Sequence, residues 1–79
     1  MINSVTLVGR LGADPDTRFF DSGSQVSHFT LYQNERYTQD GESKERRHRF
    51  ACEVWGGTSK FVEKYLHRGS LVAVQGTPI

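Results

Sequence analysis

The sequence predicts an all-β domain that contains one short helix. Several short stretches alternate apolar and polar residues with a period of two, which is typical of half-buried strands. Glycines and polar turn residues separate these stretches, and one later segment repeats its apolar residues at helical spacing. At 79 residues the chain is expected to form a single domain, residues 1–79, whose thin core favours oligomerisation.

The first predicted strand lies in the stretch SVTLVGRLG, residues 4–12. Gly9 and Gly12 permit a bulge or a sharp bend, as in sheets that curve into barrels. Residues 17–20 are predicted to continue as strand, with one of their two phenylalanines in the core. The cluster DSGS that follows predicts a hairpin turn.

A second strand is predicted over residues 26–33, because Phe29 and Leu31 point one way while Tyr32 points the other. The following residues, 37–44, show no apolar periodicity and contain an Asp-Gly turn signal. We therefore expect a polar, mobile loop between the second strand and the third.

The third predicted strand is the stretch RRHRFACEVW, residues 46–55. We expect its small apolar face to be buried, whereas its other face shows guanidinium groups and the single indole of the chain to solvent. Cations interleaved with aromatic rings suit single-stranded nucleic acid, so this second face predicts a binding surface. The apolar side holds Phe50, Cys52 and Val54, and the other side holds Arg47, Arg49, Ala51, Glu53 and Trp55.

A short amphipathic helix is predicted from Thr58, its N-cap, to the glycine at position 69. We expect its apolar stripe to face the core. A last strand is predicted over residues 71–75. Three strands, a helix and a further strand is the order of an OB-fold barrel up to its fourth strand, although periodicity alone does not predict closure. The stripe consists of Phe61, Val62, Tyr65 and Leu66.

Composition excludes several classes of function. A net charge of +1 is too small for nucleic-acid binding by bulk charge alone. The lone Cys52, expected to be buried, and three dispersed histidines predict neither a disulfide nor a metal site. No signal peptide or membrane-length apolar run is visible, which predicts a soluble cytoplasmic protein. No nucleophile with a base, carboxylate pair or phosphate-binding glycine loop is visible either, which predicts a non-enzyme without cofactor or small-molecule substrate.

Three stretches, MINSVTLVGRLGADPDTRF, GSQVSHFTL and FACEVWGGTSKFVEKYLHRGSLVAVQG, resemble the DNA-binding domain of bacterial single-stranded DNA-binding proteins. The resemblance covers nearly the whole chain and keeps several motifs in a fixed order. It implies a Greek-key OB-fold barrel that assembles as a homo-oligomer, a tetramer or a dimer. It further implies sequence-independent binding of single-stranded DNA in replication, recombination and repair, close to the nucleoid.

The resemblance and the strand pattern together predict a set of DNA-binding residues. Trp55 matches a stacking aromatic of the family, and Tyr37 approximates a second one at the end of the second strand. Lys44 adds positive charge next to the arginines of the third strand. Tyr32 could serve DNA stacking or a subunit interface, and the sequence leaves that choice open. The full predicted set is Trp55, Tyr37, Arg47, Arg49, Tyr32, Lys44, Arg36, Arg10 and Lys60.

The chain also departs from the family pattern. Arg49 stands where the family usually carries a tryptophan, so one stacking ring is replaced by a cation. The sequence ends at Gly76-Thr77-Pro78-Ile79, where relatives continue into a basic segment and a fifth strand. We therefore expect a barrel that lacks its fifth strand or borrows it, with open sheet edges. An alternative function is an OB-fold oligomerisation or protein-interaction module with weakened or lost DNA binding.

Overall fold

The computed structural model describes residues 3–78, so the first two residues of the opening motif and Ile79 lie outside the described part. These described residues form five strands and one helix, which confirms the predicted all-β class with one short helix. The elements, in chain order, are β1 (Val5–Leu11), β2 (Asp16–Phe19), β3 (Gln25–Gln39), β4 (Glu42–Trp55), α1 (Gly56–Tyr65) and β5 (Leu71–Gly76).

Strand β3 is the centre of the sheet, and every pairing in it is antiparallel. One edge of β3 pairs first with β2, along Gln25 to His28, and then with β1, at Leu31 and Tyr32. Its other edge pairs with β4 along almost its whole length. Strand β5 pairs with the free edge of β1. This arrangement gives one curled sheet in the order β2-β3-β1-β5, with β4 on the far side of β3.

The predicted loop over residues 37–44 is wrong, because these residues extend the β3–β4 hairpin. Only Asp40 and Gly41 form the turn, with φ angles of 53° and 77°, the left-handed values that a two-residue hairpin turn requires. Both arms of the ribbon beyond the sheet are polar and largely exposed. A solvated two-stranded ribbon buries no apolar face, so its sequence lacks the alternation that identifies a strand.

The helix begins three residues earlier than predicted. Trp55 is the N-cap, with no capping side chain, whereas Thr58 lies inside the first turn. Gly56 has a φ of 59°, which lets the chain pass directly from β4 into α1 without the steric cost of a Cβ. In the apolar stripe Val62 is buried but Phe61 is exposed, so the prediction that the whole stripe faces the core is wrong.

The core is small and lies between α1 and the concave side of the sheet. Its buried cluster contains Leu11, Phe29, Leu31 and Val62. A hydrogen-bonded network fixes the helix to β3 beside this cluster: the hydroxyls of Ser27 and Ser59 lie 2.7 Å apart, and the Gln25 amide donates to Ser59 at 3.1 Å. Because these polar groups satisfy one another, their burial carries no desolvation penalty from unpaired donors.

The sheet is a half-barrel and does not close. Strand β4 pairs only with β3, and β5 pairs only with β1, among the strands of residues 3–78. The radius of gyration is 15.2 Å, compared with about 12 Å expected for a compact chain of this length. Within residues 3–78, the outer edges of β4 and β5 therefore carry backbone donors and acceptors that no other strand pairs.

Candidate nucleic-acid interface

The side of the sheet opposite the core, here called the outer face, carries the cationic side chains of the third predicted strand. Residues directly opposite each other in antiparallel strands project from the same face. The pairs Arg10–Tyr32 and Tyr32–Arg49 therefore form one row across three strands on that face. Arg47, two residues before Arg49, lies on the same face, as the period-two pattern of β4 predicts.

Tyr32 is the centre of this group. The guanidinium carbon of Arg47 lies 4.4 Å from the centroid of the Tyr32 ring, which is a cation–π contact. The edge of the same ring packs against Gly12, where a Cβ would collide with it. An open groove of about 500 Å³ adjoins these side chains, with Arg10 and Arg47 in its wall. We call Arg10, Tyr32, Arg47 and Arg49 the arginine cluster.

The second aromatic group of the outer face is the stack of Phe20 on Trp55, here called the aromatic pair. The ring centroids lie 6.0 Å apart at an interplanar angle of 17°. Trp55 is 53% exposed and Phe20 is 48% exposed. Phe19 is exposed too, so the prediction that one of these phenylalanines enters the core is wrong. The β2 strand is only four residues long and lies at the end of the strand order of the sheet.

Arg18 lies next to the aromatic pair. It is paired with Val26, which is paired with Trp55, so these three residues form a row on the outer face. The only ion pair of Arg18 among the described residues joins it to Asp16 at 3.6 Å, with both side chains well exposed. Such a pair contributes little in water, which leaves the guanidinium free to bind an anion. Arg18 and Phe20 were not predicted as binding residues.

An acidic row separates the aromatic pair from the arginine cluster. Asp16, His28 and Glu53 lie opposite one another across three strands, and the His28 Nε2 atom lies 3.5 Å from a Glu53 carboxylate oxygen. Trp55 and Arg49 are six residues apart on β4, about 20 Å along a strand at about 3.3 Å per residue. The outer face thus has two distinct cationic and aromatic groups with negative charge between them.

Tyr37 and Lys44 do not lie on the outer face. They are paired with each other, and their register places both on the inner side of the β3–β4 ribbon. The Arg46 guanidinium lies 4.9 Å from the centroid of the Tyr37 ring on that side. The structure therefore does not bring Tyr37 together with Trp55 on one surface.

The inner side of the ribbon also carries the shortest contact between a histidine and a carboxylate among the described residues. The His48 Nε2 atom lies 2.7 Å from a Glu35 carboxylate oxygen. The hydrogen bond from His48 lowers the pKa of Glu35, with a smaller contribution from nearby positive charge.

The last two predicted cations lie at the margins. Arg36 is paired with Glu45 on the outer face of the ribbon, beyond the arginine cluster. Lys60 is exposed on α1, outside the sheet. Within residues 3–78, neither residue forms an ion pair or a stacking contact with the arginine cluster or the aromatic pair.

Three further features of residues 3–78 bear on other kinds of function. Residues 3–78 contain no group of three or more side chains suited to hold a metal ion. Cys52 is half-buried, and this burial raises the pKa of its thiol, so it behaves as a small apolar residue. Within the same residues no helix has the length and apolar character needed to cross a membrane.

Comparisons with known proteins agree on one family. Residues 2–77 match the model of the single-strand binding protein family. Over 76 residues, the chain is 40% identical to the single-stranded DNA-binding protein 1 of Synechocystis sp., covering 96% of this chain and 60% of that protein. It is 40% identical over the same length to the single-stranded DNA-binding protein of Enterococcus faecalis, covering 96% of this chain and 40% of that protein.

Solved structures show the same similarity. The Plasmodium falciparum SSB in complex with single-stranded DNA superposes with a TM-score of 0.90 at 30% identity, over 98% of this chain and 70% of that one. A deletion variant of the single-stranded DNA binding protein from Thermus aquaticus superposes with a TM-score of 0.85 at 26% identity, over 96% of this chain and 38% of that one. The chain spans at most about 60% of the length of the two relatives compared by sequence.

Proposed function

This chain belongs to the single-strand binding protein family, and from that premise we propose that its outer face binds single-stranded DNA without sequence preference. The observation that carries the proposal is the exposed Trp55 indole, which shares a face with Arg47 and Arg49. Base stacking on an aromatic ring is tolerant of sequence because every base has a π-face. We propose binding alone, without an enzymatic step.

Stacking and charge have separate places on this surface. Trp55 supplies the stacking ring, and the arginine cluster supplies the phosphate contacts. Tyr32 holds the Arg47 guanidinium at 4.4 Å, which reduces the conformational freedom that Arg47 loses on binding a phosphate. Arg10 already donates to the Gly69 carbonyl at 2.9 Å, so it too is held in place. Three cations on one face provide a path for a phosphate backbone.

Tyr37 and Lys44 take a secondary part in this proposal, together with Arg36 and Lys60. Because Tyr37 and Lys44 lie on the inner side of the ribbon, DNA reaches them only by passing around its edge. We therefore assign them to contacts with longer strands that wrap the ribbon.

The test is a titration of end-labelled oligothymidylate followed by fluorescence anisotropy over a range of salt concentrations. Neutralisation of three or four phosphates, at about 0.7 per phosphate, predicts a slope of roughly −2 to −3 for log affinity against log salt. Duplex DNA of the same length is the competitor and should displace the probe poorly. Absence of binding at low salt, or equal competition by duplex, would contradict the proposal.

We propose that the chain works as a homo-oligomer, a dimer or a tetramer, in replication, recombination and repair near the nucleoid of a bacterial cytoplasm. The support from this chain is physical: its buried core is small, and among residues 3–78 the outer edges of β4 and β5 have no strand partner. Pairing of these edges with another chain satisfies backbone groups that otherwise face water. Sedimentation at several concentrations measures the subunit number directly.

A second candidate function is an assembly module with little DNA affinity. The unpaired outer edges of β4 and β5 within residues 3–78 favour it. Phe61 and Tyr65 favour it too, because their rings are exposed on α1 and contact each other, with centroids 5.1 Å apart and planes tilted by 43°. Sedimentation with and without oligonucleotide separates the two functions. A large assembly whose size and stability are indifferent to DNA supports the second, whereas DNA-bound species with the slope given above support the first.

A further inference from the structure

The aromatic pair has one covered side and one free side. Phe20 lies nearly parallel to the Trp55 ring, at 17°, and therefore occupies one face of the indole. The remaining surfaces of both rings contact solvent, since each side chain is about half exposed. A near-parallel pair of exposed rings is the geometry that continues a stack of bases on either side.

The aromatic pair lies next to a buried side chain of the same face. Val26 projects from the outer face between Arg18 and Trp55 and is nevertheless only 2% exposed. Its neighbours on that face must therefore cover it, which restricts the freedom of the Trp55 side chain before any ligand binds. A ring that is already held in place loses less entropy when a base stacks on it.

The pair is also separate from the arginine cluster. The acidic row of Asp16, His28 and Glu53 lies between them and repels phosphates. A strand bound at Arg49 therefore gains contact with Trp55 only by crossing about 20 Å of sheet and this negative charge. On the near side of the acidic row, Arg18 is the cation that lies in the same row of residues as Trp55.

We propose that Phe20, Trp55 and Arg18 form a second, separate binding subsite for single-stranded DNA, and that Phe20 is itself a binding residue. We call this subsite and the arginine cluster the two footholds. The inference rests on the proposed function and refines it. Two bases stack on the exposed sides of the aromatic pair, and Arg18 binds the phosphate next to them. DNA long enough to reach the arginine cluster engages both footholds across the acidic row.

The first experiment replaces Phe20 while keeping an apolar cover over Val26. Phe20→Leu should weaken binding of a long oligothymidylate by at least about fivefold, because a stacked base contributes about 1 kcal/mol or more. Phe19→Leu is the matched control, since Phe19 is exposed one position earlier and projects from the opposite face. Thermal unfolding of both variants shows whether either loses stability.

The second experiment varies oligonucleotide length. At about 3.4 Å per stacked nucleotide, the roughly 20 Å between the two groups corresponds to about six nucleotides. A trinucleotide therefore reaches only one foothold. About twelve nucleotides are long enough to span this distance and to occupy both footholds. Affinity should rise in a step of at least about tenfold once both are engaged. Phe20→Leu should reduce this step.

Three outcomes decide the matter. Loss of affinity in Phe20→Leu but not in Phe19→Leu, together with the step, supports the second foothold. Wild-type binding with equal affinities for the two variants overturns this inference and leaves the proposed function intact. Failure of the wild-type chain to bind overturns both.

Discussion

The Arg47 guanidinium lies 4.4 Å from the centroid of the Tyr32 ring, which belongs to the adjacent strand and lies on the outer face of the sheet. A mirrored contact lies on the other side of the same ribbon, where Arg46 lies 4.9 Å from the Tyr37 ring. Two neighbouring arginines thus make the same kind of contact on opposite faces. They form a natural pair of test and control, because only one of them shares its face with Trp55.

Arg47→Ala should weaken binding of oligothymidylate at low salt and reduce the salt slope by about 0.7, the contribution of one phosphate contact. Arg46→Ala removes the same charge and the same kind of stacking from the inner side. It should leave the slope unchanged for oligonucleotides too short to wrap the ribbon. Anisotropy titrations over a salt series measure both variants, and equal losses would show that the outer face is not the binding face.

Removal of negative charge from the acidic row should strengthen binding. Glu53→Gln relieves the repulsion of phosphates between the two footholds, and we expect an increase in affinity of about two- to fivefold at low salt that fades as salt screens the charge. Glu42→Gln makes the same change at the tip of the ribbon, on its inner side. The same titration measures both, and an increase of equal size in the two variants would indicate net charge alone.

Gly9 allows β1 to approach β3 closely. A Cβ at this position would lie 2.6 Å from the backbone oxygen of Tyr32, which cannot move without disturbing the strand. Gly9→Ala should therefore lower the free energy of unfolding by about 1 to 3 kcal/mol. Gly57→Ala, in the first turn of α1 with nothing within 4 Å of the added methyl, should raise it by up to about 1 kcal/mol. Thermal or urea unfolding distinguishes these opposite signs.

The hydrogen bond from His48 lowers the pKa of Glu35, so His48→Ala should raise that pKa towards its ordinary range. A carboxyl whose pKa is lowered by folding stabilises the fold above its unfolded-state pKa, and this contribution is lost as the pH falls through the lowered value. An NMR titration of the Glu35 carboxyl carbon gives the pKa in both proteins. A pKa unchanged by the substitution would show that the pair does not form in solution.

The period-two pattern of β4 correctly predicted which of its side chains share a face. The register was also accessible from the sequence, because a two-residue turn at Asp40 and Gly41 pairs the residues that flank it. Counting back from that turn places Tyr32 opposite Arg49 and Tyr37 opposite Lys44. The polar composition of this segment concealed the strand, so Tyr37 was predicted to act with Trp55 although the two lie on opposite faces.

The stack of Phe20 on Trp55 could not be predicted in this way. It depends on β2 pairing with β3 and on β4 pairing with the other edge of β3, which are contacts between distant parts of the chain. The exposure of Phe61 likewise depends on how α1 sits on the sheet, because the helix buries only Ser59 and Val62 among its described residues. Local patterns define faces, whereas the partner of each face is a property of the assembled sheet.

The central claim is that unpaired bases stack on the exposed indole of the outer face. Because Trp55 is the single tryptophan, its fluorescence reports on that site alone. Titration with oligothymidylate at low salt should quench the emission to saturation, and added salt should reverse the quenching as the DNA dissociates. Emission that stays unchanged while labelled DNA is shown by anisotropy to be bound would contradict the claim, because the DNA would then occupy a surface without Trp55.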